Sequence, residues 1–84
     1  MNFDLFTGTV LLLPIDYNPQ GCLECDGSLL DIEQYPALYS LIGTKYGGDG
    51  IRKFMLPNLK ASRPLPLMRY YIVVEGIYPH KSNN

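Results

Sequence analysis

The chain has 84 residues, of which 46% are hydrophobic and 12% aromatic, and its formal net charge is −1. This length suits one small domain with a marginal core. No apolar run approaches the ~20 residues that span a bilayer, no basic region precedes the apolar run at 10–13 as in a secretory signal peptide, and no strongly basic face indicates nucleic-acid binding.

The net charge conceals a division between the two halves of the chain. Residues 1–44 contain six acidic residues and no Lys or Arg, a net charge of −6, whereas residues 45–84 contain seven basic and two acidic residues, a net charge of +5. One interpretation is that the halves pack together and neutralise each other within one domain. The other is that opposite charges at opposite ends steer head-to-tail association of copies.

The first third of the chain predicts strands. Residues 7–13 form a short apolar run that ends at Pro14, which is typical of a buried strand. Residues 14–21 are rich in proline and polar residues and indicate a loop. Asp26-Gly27 between alternating residues predicts a two-residue turn, and therefore a β-hairpin over 22–30.

One helix is predicted next, at about 35–42. Pro36 is favourable in the first turn of a helix, and Gly43 provides a stop. Asp31 and Gln34 have the spacing of a capping box. Apolar residues at three- and four-residue spacing predict the face that enters the core. They are Tyr35, Leu38, Leu41 and Ile42.

The second half of the chain predicts a short extended segment and one clear strand. Residues 53–56 form a short extended segment, 60–67 are irregular, and 69–75 are rich in β-branched and aromatic residues. The predicted fold class is therefore α+β, with a small antiparallel sheet and one helix. We expect a single domain over residues 1–79 and a flexible tail at 80–84.

The segment 44–50 contains Gly47, Gly48 and Gly50 around Asp49. It lacks the Lys-Ser/Thr and the following helix of a phosphate-binding loop, and it lacks the alternating oxygen ligands of a calcium loop. The glycines instead predict a tight backbone turn, locked by hydrogen bonds from neighbouring amides to Asp49, with the ring of Tyr46 packed beneath.

Cys22 and Cys25 form a C-x-x-C pair. Redox pairs of this type begin a helix, and a zinc site needs two further ligands, for which His80 in the tail is the only histidine. We expect one cysteine to be a small buried hydrophobe and the other to be free. With a lone histidine, and with Asp31 and Glu33 explained by the start of the helix, we predict no catalytic residues, no cofactor and no metal.

Several motifs occur in order along nearly the whole chain, and together they resemble the phage tail collar domain family, which includes tail-fibre and microcystin-dependent bacterial proteins. The resemblance implies that Tyr46 and the glycine loop belong to a signature of the fold. The motifs are Pro19-x-Gly21, Cys25-Asp26-Gly27-x-Leu29, Tyr35-Pro36-Ala37-Leu38, Ile42-Gly43-Thr44-x-Tyr46-Gly47-Gly48-Asp49-Gly50, Phe54-x-Leu56-Pro57-Asn58-Leu59 and Gly76-Ile77-Tyr78-Pro79.

The chain departs from the family pattern at three places. Cys22 stands where members usually have Trp, and Leu56-Pro-Asn-Leu-Lys-Ala-Ser-Arg63 stands where they usually read Leu-Pro-Asp-Leu-Arg-Gly-Arg. Only about ten residues separate this motif from the last strand, where many members carry a long glycine-rich insertion. In tail fibres such insertions tend to contact the target. A chain without the insertion is therefore expected to keep the scaffold of the family but not this contact region.

The resemblance implies a structural component of a phage tail fibre or a phage-like extracellular fibre, located in the virion or outside the cell. We expect a homo-oligomer, either a trimer or a head-to-tail filament. Tyr70 or Tyr71, together with Tyr78, are the candidate interface anchors, since one face of the last strand should be exposed.

The alternative function is a module that binds a cell-surface glycan or another receptor. Exposed tyrosines can stack on sugar rings. An aromatic platform for this purpose could combine Tyr17, Tyr39 and Tyr46. Other tail proteins are the remaining class of partner.

Overall fold

A computed structural model describes residues 5–79 of the chain. The elements in chain order are β1 (Val10–Leu13), β2 (Cys22–Glu24), β3 (Leu29–Asp31), α1 (Pro36–Ile42), β4 (Lys53–Met55), a 3₁₀ turn (Lys60–Ser62) and β5 (Arg69–Val73). The predicted α+β class is confirmed. The predicted flexible tail at 80–84 lies outside the described residues.

The strands form two antiparallel sheets. In the first sheet β5 lies between β1 and β2, and the second sheet consists of β3 and β4. The strand nearest the C-terminus is therefore at the centre of the larger sheet, and both of its neighbours come from the first 24 residues.

The predicted hairpin over 22–30 is wrong. β2 pairs with β5 and β3 pairs with β4, so the two strands belong to different sheets. Gly27 has the positive φ of +80° that the prediction required, but Asp26 does not, and a type I′ turn needs both. The Asp26 carboxylate instead accepts the N–H and the hydroxyl of Ser28, and this Asx turn directs the chain from one sheet to the other.

The helix is confirmed over Pro36–Ile42, with proline in its first turn. At its end the N–H of Gly43 donates to the carbonyl oxygen of Tyr39 at 2.7 Å. The predicted capping box is wrong, because no side chain caps the helix and Asp31 ends β3, where its carboxylate pairs with Lys53 at 2.5 Å. Leu38 is completely buried, as its place on the core face predicts.

Two apolar clusters lie on the two faces of β5. The first contains Leu38, Phe54 and Ile72 and joins the larger sheet to α1 and the smaller sheet. The second contains Cys22, Tyr71 and Val73, with partly buried side chains from residues 5–15 around it. A strand with both faces covered reads as a continuous apolar run, which is the pattern of residues 70–74.

The ion pairs that the structure shows join the acidic half of the chain to the basic half. Asp31 pairs with Lys53 across the smaller sheet, and Glu24 pairs with Arg69 across the larger sheet at 3.3 Å. These two contacts agree with the interpretation that the two halves neutralise each other within one domain. In addition, no helix within residues 5–79 has the length and hydropathy needed to cross a membrane.

Candidate functional site

The glycine loop, residues 44–50, lies along the outer edge of β4. The N–H of Met55 donates to the carbonyl oxygen of Gly47 at 3.1 Å, and the N–H of Gly50 donates to that of Lys53 at 3.1 Å. The hydroxyl of Tyr39, on α1, reaches the carbonyl oxygen of Gly50 at 3.3 Å. The loop thus ties the helix to the strand that follows it.

Two glycines in this loop allow a close approach of backbones. A Cβ atom on Gly47 would lie 2.5 Å from Sδ of Met55, and one on Gly48 would lie 2.5 Å from the carbonyl oxygen of Lys53 and the Cα of Phe54. Their φ angles are +129° and +100°, which L side chains rarely adopt. The interpretation of this segment as a backbone turn explains both observations.

Asp49 holds the second part of the loop. One carboxylate oxygen accepts the N–H groups of Ile51, Arg52 and Lys53 at 2.9 to 3.0 Å. These hydrogen bonds favour the ionised form and lower the pKa of Asp49 from 3.8 to about 2. The run of amides that could otherwise hold an anion is therefore occupied by the chain's own carboxylate.

The Cys25-Asp26-Gly27 motif contacts the Leu56-Pro57-Asn58-Leu59 motif. The N–H of Leu59 donates to the carbonyl oxygen of Cys25 at 2.9 Å, and the N–H of Gly27 donates to that of Pro57 at 3.3 Å. A Cβ on Gly27 would lie 3.2 Å from the Cβ of Asn58. Leu56 and Pro57 are both buried. Two motifs that are 30 residues apart in sequence thus form one structural unit.

The exposure of Tyr46 differs from expectation. Its ring was expected beneath the glycine turn, but Tyr46 is 49% exposed. It is Met55, on β4, that packs against the loop at Gly47. The face of the loop that carries Tyr46 is therefore on the surface of the molecule.

Both cysteines are buried and neither forms a disulfide. They lie in different clusters, Cys22 in the second and Cys25 in the first. Burial raises the pKa of the Cys22 thiol, and burial together with the carboxylates of Asp26 and Glu24 raises the pKa of Cys25 to about 11. No group of metal-ligating side chains occurs in the part of the chain that the structure describes. Both thiols act as small core side chains.

The candidate interface tyrosines separate into two groups. Tyr71 is 1% exposed and its hydroxyl donates to the carbonyl oxygen of Ile15 at 2.7 Å, so the expectation that it anchors an interface is wrong. The reason is that β5 is covered on both faces. Tyr70 is half-buried against the first cluster, and Tyr78 is exposed, with its hydroxyl 2.6 Å from that of Ser40 in a shared hydrogen bond.

The three tyrosines of the glycan alternative have different environments. The ring of Tyr39 packs edge-to-face on Phe54, with a centroid distance of 5.4 Å, and serves the core. Tyr17 is 65% exposed and lines an open groove with Asp16, Pro66, Leu67 and Arg69. The residues that line this groove come from the β1–β2 loop, from the segment before β5 and from Arg69, the first residue of β5.

Most of the predicted fold-motif residues thus make internal contacts in an α+β module, whereas Tyr46 lies on its surface. A family model described as Phage Tail Collar Domain matches residues 8–64, which is more than half of the chain. The chain belongs to the phage tail collar domain family. Membership implies a structural role in a phage tail fibre and a place in the virion tail. A search of curated proteins found no significant match.

Proposed function

We propose that this chain is a self-assembling structural module of a phage tail fibre or a phage-like extracellular filament, in which copies of the chain form a homo-oligomer. The proposal rests on one observation: the residues of the family motifs form hydrogen bonds within the module. The Cys25–Gly27 segment binds residues 56–59, and the glycine loop binds β4. Residues used in this way hold a scaffold together.

The proposal assigns the chain no enzymatic activity. Four of the acidic side chains that could serve as general acids or bases have structural roles instead. Asp49 locks the glycine loop, Asp26 forms the turn between the sheets, and Asp31 and Glu24 form ion pairs. The single histidine, His80, lies outside the described residues.

Self-assembly is supported by the apolar surface that the folded module leaves exposed. Val10, Ile51 and Leu67 are all more than two-fifths exposed, on a domain of only 84 residues. Small domains with marginal cores commonly gain stability by association. Exposed aromatic residues, here including Tyr78, are enriched at protein interfaces.

Sedimentation velocity of the purified chain over a wide concentration range, combined with negative-stain electron microscopy, tests the proposal. We expect concentration-dependent species larger than the 9.5 kDa monomer. A stable monomer at high concentration and low salt would overturn it. Because the ion pairs lie within the module, we expect only weak dependence on salt, whereas steering by the charge division would give strong dependence.

A second candidate function is glycan binding in the groove of Tyr17. The exposed ring of Tyr17 could stack on a sugar, with Asp16 and Arg69 beside it as hydrogen-bonding partners. A glycan array with the wild-type chain and the Tyr17→Ala variant tests this candidate. Binding that is lost in the variant supports it, and an array without signals, beside clear self-assembly, rules it out.

A further inference from the structure

The outer edge of β1 has no partner strand within residues 5–79. On the inner side, the N–H of Val73 donates to the carbonyl oxygen of Thr9 at 2.9 Å, which shows that the backbone of Thr9 faces β5. Backbone groups alternate in an antiparallel pair, so Leu11 also faces β5, whereas the N–H and C=O groups of Val10 and Leu12 face outward.

The outer edge of β2, on the other side of the same sheet, is covered. The N–H of Cys22 donates to the carbonyl oxygen of Pro19 at 2.9 Å, and the N–H of Glu24 donates to the side-chain oxygen of Asn18 at 3.0 Å. The preceding loop therefore folds back over this strand and uses the groups with which another chain could pair.

The edges of the smaller sheet are also less available than β1. The glycine loop covers β4 through the bond from Met55 to Gly47. β3 has only three residues, it ends with the charged Asp31, and the carbonyl oxygen of Asp31 already accepts the N–H of Tyr35 at 3.1 Å. Among the described strands, β1 thus offers the longest open edge.

The side chains of β1 make this edge suitable for association. The strand reads Val-Leu-Leu-Leu, without a charge, and Val10 is 43% exposed. Proteins protect exposed edges with charged residues, proline within the strand or a covering segment, because an open apolar edge is a template for another strand. Pro14 follows the strand and leaves Val10 to Leu13 able to pair.

We propose that β1 is the self-association surface of this module and that its partner is β1 of a second copy, paired antiparallel about a two-fold axis through Leu11. In this register Val10 of each copy pairs with Leu12 of the other, and all their outward N–H and C=O groups are satisfied. Leu11 lies opposite Leu11 of the second copy. The two sheets then form one continuous six-stranded sheet.

A second copy is the occupant that fits this edge best, because the edge is self-complementary. Antiparallel pairing of an uncharged strand with itself places apolar side chains opposite apolar side chains and brings no like charges together. A two-fold contact closes on itself, so β1 alone gives a dimer. This symmetry differs from the trimer or head-to-tail filament expected from the sequence, and the inference rests on the proposed self-assembly.

Val10→Lys tests the surface. Two copies of the variant place like charges diagonally across the two-fold axis, so the dissociation constant of the dimer should rise by about tenfold or more. Leu29→Lys is the matched control, because Leu29 is 55% exposed on the edge strand of the other sheet. Mixing Val10→Lys with Val10→Glu should restore association. Circular dichroism confirms that each variant is folded.

Leu11→Cys tests the register. It should form an intermolecular disulfide under mild oxidation, because the two Cα atoms of such a non-hydrogen-bonded pair lie about 4.5 Å apart. Leu29→Cys is its control and should not crosslink. The native cysteines do not compete, since both are buried. In the wild-type chain, hydrogen exchange at the amides of Val10 and Leu12 should slow as concentration rises.

The outcomes separate this inference from the proposed function. If the wild-type chain assembles and Val10→Lys assembles equally well, the β1 contact is wrong and self-assembly stands. A trimer unaffected by Val10→Lys leads to the same conclusion. If the wild-type chain is a monomer at every concentration, both are overturned. Protection of Val10 and Leu12 amides in a dilute monomer, or binding of a different tail protein to β1, overturns self-pairing.

Discussion

Gly48 lies directly against the backbone of Lys53, so close that a Cβ atom on the glycine would be 2.5 Å from the carbonyl oxygen of the lysine. This approach lets the loop that follows the helix run along β4 and cover its outer edge. The four-residue sequence Gly47-Gly48-Asp49-Gly50 is therefore required by geometry. Gly47 and Gly48 leave room for the side chain of Met55 and the backbone of β4, and the carboxylate of Asp49 accepts the N–H groups of residues 51–53.

Substitution of Gly48 by alanine should destabilise the module by ~3 kcal/mol, because a positive φ is strained for alanine and the new methyl group meets backbone. Gly43→Ala is the matched control. Gly43 also has a positive φ, +55°, with ψ of −138°, but no atom lies within 4 Å of its Cβ position, so only backbone strain of about 1–2 kcal/mol is expected. Urea unfolding measures both, and equal losses would contradict the close-approach argument.

The pKa of Asp49 predicts a loss of stability in acid. Its value in the folded state, about 2, lies below the ordinary 3.8. The stabilisation is therefore fully present above the unfolded pKa and is lost as the pH falls through the folded pKa, between about pH 4 and pH 2. Asp49→Asn should flatten this part of the stability profile in urea unfolding. The control is Asp16→Asn, at an exposed acid in the β1–β2 loop. An unchanged profile in Asp49→Asn would argue against the role of this carboxylate.

Tyr71→Phe should lower the free energy of unfolding by ~1 kcal/mol. The substitution removes the hydroxyl that donates to the carbonyl oxygen of Ile15 at 2.7 Å and leaves that acceptor without this bond. Tyr17→Phe is the control, because Tyr17 is 65% exposed and its hydroxyl should contribute less than 0.5 kcal/mol, about the limit for surface changes. If Tyr71→Phe reduced assembly without reducing stability, the tyrosine would be an interface residue after all.

The two cysteines should be unreactive in the folded chain. Both are buried, and the raised pKa of Cys25, about 11, leaves little of the reactive thiolate at neutral pH. A chromogenic disulfide reagent at pH 8 should modify both thiols rapidly in guanidinium and only slowly without it. Rapid modification of the native chain, or stoichiometric zinc in elemental analysis, would show that the pair is a functional site.

Local signals in the sequence predicted the local structure well. Pro36 and Gly43 fix the ends of the helix because each acts on its own backbone, through a missing N–H in one case and a permitted positive φ in the other. The role of Asp49 in the turn was also predictable, since its three donors lie within four residues.

Features that depend on distant partners were not predictable from local patterns. Asp26-Gly27 is a strong hairpin signal. In the structure, however, β2 pairs with β5 instead of with β3, and β5 lies more than 40 residues further along the chain. The burial of Tyr71 likewise depends on residues 5–15, which cover a face that the pattern of the strand left undecided. The open edge of β1 was likewise not predictable, because the segments that cover the other strand edges do so through tertiary contacts.

The central position of β5 also determines when this module can fold during synthesis. Among the described strands β5 is translated last, and until it appears β1 and β2 have no common partner and Tyr71 and Val73 are missing from the second cluster. Contacts this distant in sequence form late. A polypeptide that ends before β5 therefore lacks the central strand of the larger sheet, so folding of this module depends on synthesis at least through Val73.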